Sequence, residues 1–600
     1  MGLDHLQKNH EGAQAGTENS GRGARVPILL CMLLVAAVTA APYVSTLRYG
    51  LVLDDNPQIM NNPAVHNWAS LPRNFVVPLC GLVESNQTAE KGQATYYRPL
   101  FCVWLTAGYA LFGTNAASWH AATVGLHVAV TLLLFQLLLW LVKDYRAATA
   151  GALIFGVHPA HIESVAWISA APDLLAALAL LGVFLIYSRS LDSPPLWRSL
   201  AAHGLYAAAL LSKEPAVFFA PVALFYEVAR GDLAPEMRVA ERLGRALRRT
   251  GVLFLMAMAY SFVRVELLLS ARPLVWVSRH DAVLTAPSIL VFYLRHLVWP
   301  TRLSYYYDLP IVTRTASPGF WMPMLILAAV CAAGWIWWRK SRSIAIPWAA
   351  AWIFLMLAPV LNIAFFWPYD YYHDRYLYLP SIGLAILAAL AFEQFTPQDV
   401  PDRRRLLATA LTAVVVVAFG FSTAIQSAPW QSGISMFTYA VQSAPGNAMA
   451  KNNLGTQYIE KDRLQEAEAI FREALSQHPD FWLGTYNLGY TYYKEKRYEL
   501  AETYFCRAIA LDGDDPDQHA YLGITYFHEN RLADAVSEVV VAIRRRPEGY
   551  GYHATLGLLF EQGGHPVQAR MAFLEELKYH PDNEIAKMQL AHLGGAPTAK

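Results

Sequence analysis

The sequence predicts an all-α protein in two parts, a polytopic membrane domain followed by a superhelix of helical repeats. Its 600 residues are 55% hydrophobic and only 16% charged, which is too apolar for an ordinary soluble chain. Apolar stretches of membrane-spanning character recur up to about residue 427, and a 34-residue repeat occupies the last quarter of the chain. The chain therefore changes from membrane-like to soluble character near residue 430.

The membrane domain is predicted over residues 26–430. Residues 1–25 are polar and rich in glycine, and we expect a disordered cytoplasmic N-terminus there. The stretch from Val26 to Leu47 carries no charge and no convincing cleavage site, so we interpret it as an anchor. Ten further spans are predicted near 119–142, 147–161, 172–188, 199–211, 214–229, 250–270, 319–338, 344–367, 376–395 and 405–426. Two more apolar stretches, 98–113 and 286–301, are predicted to be re-entrant or interfacial helices.

The basic residues predict the orientation. With eleven spans and the N-terminus inside, every dense Lys/Arg cluster falls on the cytoplasmic side, including the five arginines from Arg238 to Arg249. Because the number of spans is odd, the C-terminal domain is predicted to lie on the opposite side of the membrane from the N-terminus, which is the periplasmic or luminal side. We favour a bacterial inner membrane as the location, with the endoplasmic reticulum membrane as the eukaryotic alternative.

Residues 445–594 repeat every 34 residues in four copies. The recurring Leu-Gly pairs are Leu454–Gly455, Leu488–Gly489, Leu522–Gly523 and Leu556–Gly557. They resemble tetratricopeptide repeats, helix–turn–helix units that stack around a concave groove. The first helix of each repeat should line the groove, where amides and tyrosines can hold an extended peptide acceptor. The candidates are Asn453, Asn487, Tyr486, Tyr490 and Tyr493, and the alternative is that they are ordinary solvated residues.

Polar side chains are predicted to gather at the outer face of the membrane domain. Ionisable residues near or within spans are uncommon and indicate functional sites. The candidates are Asp54, Asp55, Arg98, His158, His161, Glu163, Asp173, Lys213, Glu214, His373, Asp374 and Arg375. Carboxylates, histidines and cations that meet at one membrane face can form an active site.

Five motifs in this order, followed by the repeats, carry a family resemblance. They are "LDDNP", "YRPL", "FGVHPAHIESVAW", "LLSKEP" and "RYLYLPS". The chain from about 26 to 590 resembles the transmembrane and tetratricopeptide-repeat-containing O-mannosyltransferases, which are GT-C glycosyltransferases. The resemblance implies transfer of a sugar, mannose or another hexose, from a polyprenyl-phosphate donor to a Ser/Thr hydroxyl of a protein in one inverting step.

The resemblance also implies roles for the candidate residues. One aspartate of the first outer loop (48–118) serves as the base that accepts the hydroxyl proton. Neighbours on an extended segment point to opposite sides, so only one of Asp54 and Asp55 faces the site, and Asp55 is preferred. Arg375, Lys213 and Arg98 are assigned to the phosphate leaving group. The remaining candidates are assigned to the donor sugar or phosphate, and for His158 and His161 the alternative is capping and packing where the helix emerges from the membrane.

Other interpretations remain open. The same residues could transfer a sugar to a lipid or glycan acceptor, or the protein could be a non-enzymatic membrane scaffold. No cofactor is predicted, because the lipid-linked sugar is a substrate; a divalent metal at "HPAH" is less favoured since zinc-like ligand spacing is lacking. The net charge of +1 argues against nucleic acid as a partner, and among five scattered cysteines only a Cys80–Cys102 bridge is considered, with low expectation.

Overall fold

The computed structural model describes residues 26–76, 96–188, 195–229, 238–268, 277–366, 369–397, 400–513 and 515–595. These residues form helices and turns, and no β-strand occurs among them, so the predicted all-α fold class is confirmed. The predicted disordered segment 1–25 lies outside the described residues.

The helices of the membrane half are numbered in chain order. They are α1 (Val26–Arg48), α2 (Pro99–Phe112), α3 (Ala116–Val142), α4 (Tyr145–Gly156), α5 (Ile162–Ala166), α6 (Ala171–Ser188), α7 (Leu196–Ser212), α8 (Phe219–Ala229), α9 (Val239–Leu268), α10 (Arg279–Val298), α11 (Pro318–Ser341), α12 (Ala345–Leu357), α13 (Pro380–Phe395) and α14 (Asp402–Gln426).

Seven helices in the described part of the chain are long and apolar enough to cross a membrane. They are Val26–Arg48, Ala116–Val142, Ile168–Tyr187, Ala240–Leu267, Arg279–Val298, Pro318–Ser341 and Asp402–Gln431. The structure therefore confirms a helical membrane domain but gives fewer full-length spans than the eleven expected. It also differs at 286–301, which the sequence predicts to be re-entrant or interfacial: residues 286–298 belong to the 20-residue helix α10, which is long and apolar enough to cross a membrane.

Prolines explain why several predicted spans are short helices. Helix α4 has 12 residues and is followed by a turn of 3₁₀-helix that begins at Pro159. The predicted span 344–367 is likewise divided after α12, where a second 3₁₀ turn, Ala358–Leu361, contains Pro359. Proline lacks a backbone N–H and clashes with the preceding turn, so an apolar run that contains it does not continue as one helix.

The last turn of α1 lies beside the segment that follows α14. The Gly50 amide donates to the Gln431 carbonyl at 3.2 Å, and the hydroxyls of Tyr49 and Ser427 are 3.3 Å apart. The first loop and the start of the repeat half therefore share one end of the helical bundle. We call this end, defined by Tyr49, Gly50 and Gln431, the repeat end.

The repeat half is a succession of antiparallel helix pairs. Its helices are α15 (Gly433–Ser443), α16 (Ala448–Glu460), α17 (Leu464–Gln477), α18 (Trp482–Lys494), α19 (Tyr498–Leu511), α20 (Pro516–His528), α21 (Leu532–Arg545), α22 (Tyr552–Gln562), α23 (Pro566–Tyr579) and α24 (Glu584–Gly595). The recurring glycines allow the two helices of a pair to approach closely. A Cβ added at Gly455 would lie 2.4 Å from the Phe471 ring, and one at Gly557 would lie 2.5 Å from Phe573. These contacts explain why the 34-residue pattern places glycine there.

One apolar cluster joins the two halves. Tyr49, Trp167 and Tyr306 of the membrane half pack in the same cluster as Phe437 and Leu454. Polar contacts add to it: the Gly446 amide donates to Asp308 Oδ2 at 2.7 Å, and Asn447 Nδ2 donates to the Tyr369 carbonyl at 2.8 Å. The first repeat is therefore docked directly on the loops at the repeat end.

Cys102, near the start of α2, is disulfide-bonded, whereas Cys31, Cys331 and Cys506 are free thiols. The sequence does not favour a disulfide at Cys102, because scattered cysteines carry no pairing signal, and the structure differs from it here. Cys80 lies outside the described residues.

Candidate active site

Asp55 is fully buried, and both oxygens of its carboxylate accept hydrogen bonds. Its Oδ1 accepts hydrogen bonds from the Ser169 amide at 2.8 Å and the Ser169 hydroxyl at 2.7 Å, and its Oδ2 accepts from the Val52 amide at 3.1 Å. Burial raises the pKa of Asp55 to about 7, although the donors on Ser169 and Val52 oppose the rise. Asp55 therefore ties the first loop to the turn before α6.

Asp54 has a different environment. Its side chain is only partly buried, and the charges that act on it are those of Arg375, Asp370 and Arg98. Burial raises the pKa of Asp54, while Arg375 and Arg98 oppose that rise. The two aspartates do not lie on an extended segment as predicted: they follow Leu53, which has a φ of 51° in the left-handed region, and they enter the short helical turn Asn56–Met60.

Arg375 lies at the centre of a charged cluster. Its other members are Asp54, Arg98, Glu163, Asp173, Lys213, Glu214, Asp370 and His373. The Nη1 of Arg375 donates to Glu163 Oε1 at 2.5 Å, and its backbone amide donates to Glu163 Oε2 at 3.0 Å. The guanidinium carbon also lies 5.1 Å from the ring centre of Trp167, 5.2 Å from Tyr376 and 5.9 Å from Tyr305. A guanidinium held by one carboxylate and three aromatic rings has a fixed position and still has N–H donors for an anion.

His373 links Glu163 to a further carboxylate. Its Nδ1 is 3.5 Å from Glu163 Oε1, and its Nε2 is 3.0 Å from Asp370 Oδ1. Burial would raise the pKa of Asp370, but His373 and Arg375 hold it below its usual value. The order Asp370, His373, Glu163, Arg375 thus forms a chain of polar contacts that orients the guanidinium.

Two more cations are each paired with a carboxylate nearby. Arg98, immediately before α2, donates from Nε and Nη2 to the two oxygens of Glu214 at 3.1 and 2.9 Å. Lys213, at the end of α7, pairs with Asp173 in the first turn of α6. Arg98 and Arg375 both act electrostatically on the Lys213–Asp173 pair, so the three cations lie close together.

Three predicted site residues have other partners. His158 Nε2 contacts the Leu297 carbonyl at 2.9 Å, and its Nδ1 accepts from the Ala160 amide, which caps the turn after α4. His161 Nε2 lies 2.8 Å from the Ser381 hydroxyl, and Asp374 Oδ2 accepts from the Tyr307 hydroxyl at 2.6 Å. These contacts place the three side chains in the packing between neighbouring loops and helices, and their assignment to the donor stays a prediction.

Sequence reasoning missed several members of the cluster. Asp370, Trp167, Tyr305, Tyr376 and Tyr96 contact or act electrostatically on the charged residues described above. Asp370 precedes His373 by three residues in the tyrosine-rich stretch "YDYYHDRY", which was a usable signal. Tyr305 lies in a loop without a distinctive pattern. Within the described residues, no group of three or more His, Cys, Asp or Glu side chains is placed to hold a metal ion.

The predicted acceptor residues divide into two sets. Asn453 Nδ2 donates to the Tyr306 hydroxyl at 2.8 Å, and Asn487 Nδ2 donates to Asn452 Oδ1 at 2.8 Å. The asparagines thus join the first repeat to the membrane half and to the second repeat. The tyrosines form an aromatic patch on α18 and α20, in which the Tyr490 and Tyr493 rings stack and Tyr486 packs beside Tyr521.

The path from the cluster to the repeats is short. The Tyr305 ring centre lies 5.0 Å from His373 and 6.2 Å from Phe437. Tyr306 is the next residue, and its hydroxyl accepts the hydrogen bond from Asn453. One dipeptide therefore contacts both the charged cluster and the first repeat.

Comparison with known proteins gives matches for both halves. A family model described as tetratricopeptide repeat matches residues 429–480, 452–519 and 486–550. Protein O-mannosyl-transferase TMTC3 of Mus musculus is 24% identical over 474 residues, which cover 74% of this chain and 50% of the relative. Protein O-mannosyl-transferase TMTC1 of Homo sapiens is 26% identical over 509 residues, which cover 76% of this chain and 56% of the relative.

The chain is thus related in sequence, over about three quarters of its length, to proteins named protein O-mannosyl-transferases, and the predicted resemblance is confirmed. It spans about half the length of these curated relatives. Among solved structures, MamA is 19% identical with a TM-score of 0.23 over 28% of this chain and 91% of that chain. YrrB, titled a TPR protein with an unusual peptide-binding site, is 20% identical with a TM-score of 0.24 over 29% and 90%. Scores this low carry no further argument.

Proposed function

From this sequence relationship to protein O-mannosyl-transferases, we propose that the chain is a membrane glycosyltransferase of the GT-C type. It moves a sugar, mannose or another hexose, from a polyprenyl-phosphate donor to a Ser/Thr hydroxyl of a protein. The observation that carries the proposal is the convergence of Asp54 with Arg375, Arg98 and Lys213 at the repeat end of the bundle. A base and an anion-binding group at one place are what this transfer needs.

Asp54 is the proposed base. A Ser/Thr hydroxyl is a weak nucleophile, so a carboxylate must accept its proton as the oxygen attacks C1 of the sugar. Asp55 is less suited, because Ser169 and Val52 already occupy both of its oxygens. Attack from the side opposite the phosphate breaks the C1–O bond and inverts the configuration at C1.

Arg375 is the proposed principal contact of the leaving group. The electron pair of the broken C1–O bond departs with the polyprenyl phosphate, and a nearby cation stabilises that charge as it develops. Glu163 and the rings of Trp167, Tyr305 and Tyr376 hold the guanidinium in place before the donor binds. Lys213 and Arg98 add positive charge beside it, and the proposal assigns no resident cofactor.

The repeats are proposed to present the protein acceptor. The aromatic patch of Tyr486, Tyr490 and Tyr493 offers stacking surfaces to an extended segment, and Tyr305–Tyr306 connects the first repeat to the cluster. In this arrangement the protein is a multi-pass membrane protein, and the repeats and the site lie together on the periplasmic or luminal side. A bacterial inner membrane is the favoured location.

The test is an assay of purified full-length protein with radiolabelled polyprenyl-phosphate mannose and glucose. Label should appear on a Ser/Thr-containing polypeptide, and Arg375→Gln should lower turnover about 10²–10³-fold. Arg314→Gln, an exposed arginine outside the cluster, is the matched control and should behave as wild type. Label on an added lipid or glycan acceptor, but not on protein, would support the alternative acceptor class. Absence of turnover with either donor would leave only the scaffold interpretation.

A further inference from the structure

We propose that a basic cavity at the end of the bundle opposite the candidate active site binds the headgroup of an anionic phospholipid. The cavity has a volume of about 240 Å³ and lies between α6, α7 and α9. Its polar lining includes Arg198, Arg248 and Arg249, and its apolar lining includes Val183 and Leu253. A pocket with both characters suits an amphiphile whose head is negatively charged.

The helix directions separate this cavity from the candidate active site. Asp173 lies in the first turn of α6, and Tyr187, which lines the cavity, lies in its last turn about 21 Å away at 1.5 Å per residue. Helix α7 runs back in the opposite direction, from Arg198 near its start to Lys213 at its end. The cavity and the charged cluster therefore occupy opposite ends of the same two helices and cannot share one headgroup.

The arginines of the cavity carry more positive charge than the neighbouring carboxylate of Glu227 neutralises. Arg249 is fixed: its Nε lies 3.1 Å from Glu227, and its guanidinium carbon lies 5.4 Å from the Tyr187 ring centre. Neither Arg198 nor Arg248 forms an ion pair with a carboxylate in the part of the chain that the structure describes. These two guanidiniums are available for a phosphate group, which accepts charge-assisted hydrogen bonds from arginine.

The surroundings of the cavity favour a lipid over free phosphate. Leu196, Trp197 and Leu200 at the start of α7 are 74%, 63% and 63% exposed, beside Arg198. In α9 the arginines that end at Arg249 are followed by exposed apolar side chains between Val252 and Val263. Tryptophan and such a change from charged to apolar surface mark the interface of a bilayer. The mouth of the cavity thus lies where phosphate headgroups lie, and basic pockets between spanning helices are suited to anionic lipids.

Native mass spectrometry of the full chain in neutral detergent tests this. The protein is titrated with dioctanoyl phosphatidylglycerol, with dioctanoyl phosphatidylcholine, and with inorganic phosphate as competitor. Wild type should bind phosphatidylglycerol in preference to phosphatidylcholine. The double variant Arg198→Gln/Arg248→Gln should bind phosphatidylglycerol about 30-fold more weakly, since each basic side chain near an anionic headgroup contributes about 1 kcal/mol.

Two control variants make the result interpretable. Arg403→Gln/Arg404→Gln removes the same charge from exposed positions at the start of α14 and should retain binding, whereas Arg198→Lys/Arg248→Lys keeps the charge and should retain most of it. Equal binding of both lipids, or an equal loss in the α14 variant, would overturn the proposal. Displacement of phosphatidylglycerol by an equal concentration of inorganic phosphate would assign the site to free phosphate and would also overturn it. Sugar transfer is not the readout, so failure here is separate from failure of the proposed function.

Discussion

At the residue scale, the two adjacent aspartates have different roles because a turn separates their environments. Leu53 adopts a left-handed φ of 51°, and the chain then enters a helical turn at Asn56. Asp55 is directed to Ser169, 114 residues away in sequence, whereas Asp54 is left within reach of the charges of Arg375 and Arg98. No local pattern in "LDDNP" specifies this division: the sequence slightly favours Asp55 as the base, whereas we propose Asp54 from the environments of the two carboxylates.

Matched amide substitutions distinguish the two aspartates. Asp54→Asn should lower the transfer rate by about 10²–10⁴-fold, because the amide cannot accept the hydroxyl proton, while the melting temperature stays close to that of wild type. Asp55→Asn should instead destabilise the protein by about 1–3 kcal/mol, because one buried donor on Ser169 or Val52 loses its acceptor. Turnover and thermal unfolding of both variants are measured together. A stable but inactive Asp55→Asn with an active Asp54→Asn would reverse the assignment.

The pH dependence of the rate gives a second prediction at this scale. Burial raises the pKa of Asp54, with Arg375 and Arg98 opposing the rise. A general base works only when deprotonated, so the rate should fall as the pH is lowered, and this fall should begin at a higher pH than for an ordinary aspartate.

Removal of a cation that acts on Asp54 provides the check. Arg98→Gln should move the midpoint of kcat/KM against pH to still higher pH, because it takes away a positive charge that lowers the pKa of Asp54. Arg314→Gln, which is exposed and outside the cluster, should leave the midpoint unchanged. A midpoint that Arg98→Gln does not move would show that another group titrates.

At the scale of the elements, the 34-residue period predicted the helices of the repeats more accurately than hydropathy predicted the helices of the membrane half. The 34-residue period located the helix pairs of the repeats, because each Leu-Gly pair is at a packing position that only a stacked superhelix uses. Hydropathy located the apolar segments but overestimated their continuity, since Pro159 and Pro359 divide apolar runs into short helices and 3₁₀ turns. These short elements matter, because the α5 and 374–377 turns carry Glu163 and Arg375.

The glycine of the first repeat tests the packing interpretation. Gly455→Ala places a methyl group 2.4 Å from the Phe471 ring, so a helix or the ring must move, which should lower the stability of the repeat half by about 1–3 kcal/mol. Gly594→Ala, where nothing lies within 4 Å of the new Cβ, is the control and should change stability by no more than about 0.5 kcal/mol. Thermal unfolding followed by circular dichroism measures both, and equal melting temperatures would contradict the close-packing role.

At the scale of the whole molecule, the sequence predicted which residues belong near the site better than it predicted their contacts. The motifs predict that Asp54, Arg98, Lys213 and Arg375 lie near one another, and the structure places them together, while their roles stay predictions. The motifs also include His158 and His161, whose rings are used in contacts with Leu297 and Ser381. A side chain's partner is set by tertiary packing between distant segments, and residue type alone does not distinguish a histidine that binds a ligand from one that caps a turn.

The shared end of α1 and α14 leads to a prediction about topology. Helix α14 runs from Asp402 to Gln426, and its 25 residues extend about 37 Å, enough to cross a hydrocarbon core of about 30 Å. Arg403 lies at the start of this helix and the repeats follow its end, so the two should be on opposite sides of the membrane. Because the basic cluster at 403–405 favours the cytoplasm, the repeats and the candidate active site should face outward.

Cysteine reporters, compared with the parent protein that carries neither of them, test this arrangement in intact cells. After Cys31, Cys331 and Cys506 are changed to Ser, a membrane-impermeant maleimide should label Lys494→Cys in α18 but should label Arg403→Cys only after the membrane is permeabilised. Both positions are exposed, so accessibility to the reagent depends on the side of the membrane rather than on burial. Labelling of both reporters from outside would show that α14 does not cross the bilayer. Labelling of Arg403→Cys alone would place the repeats in the cytoplasm, away from an extracytoplasmic acceptor.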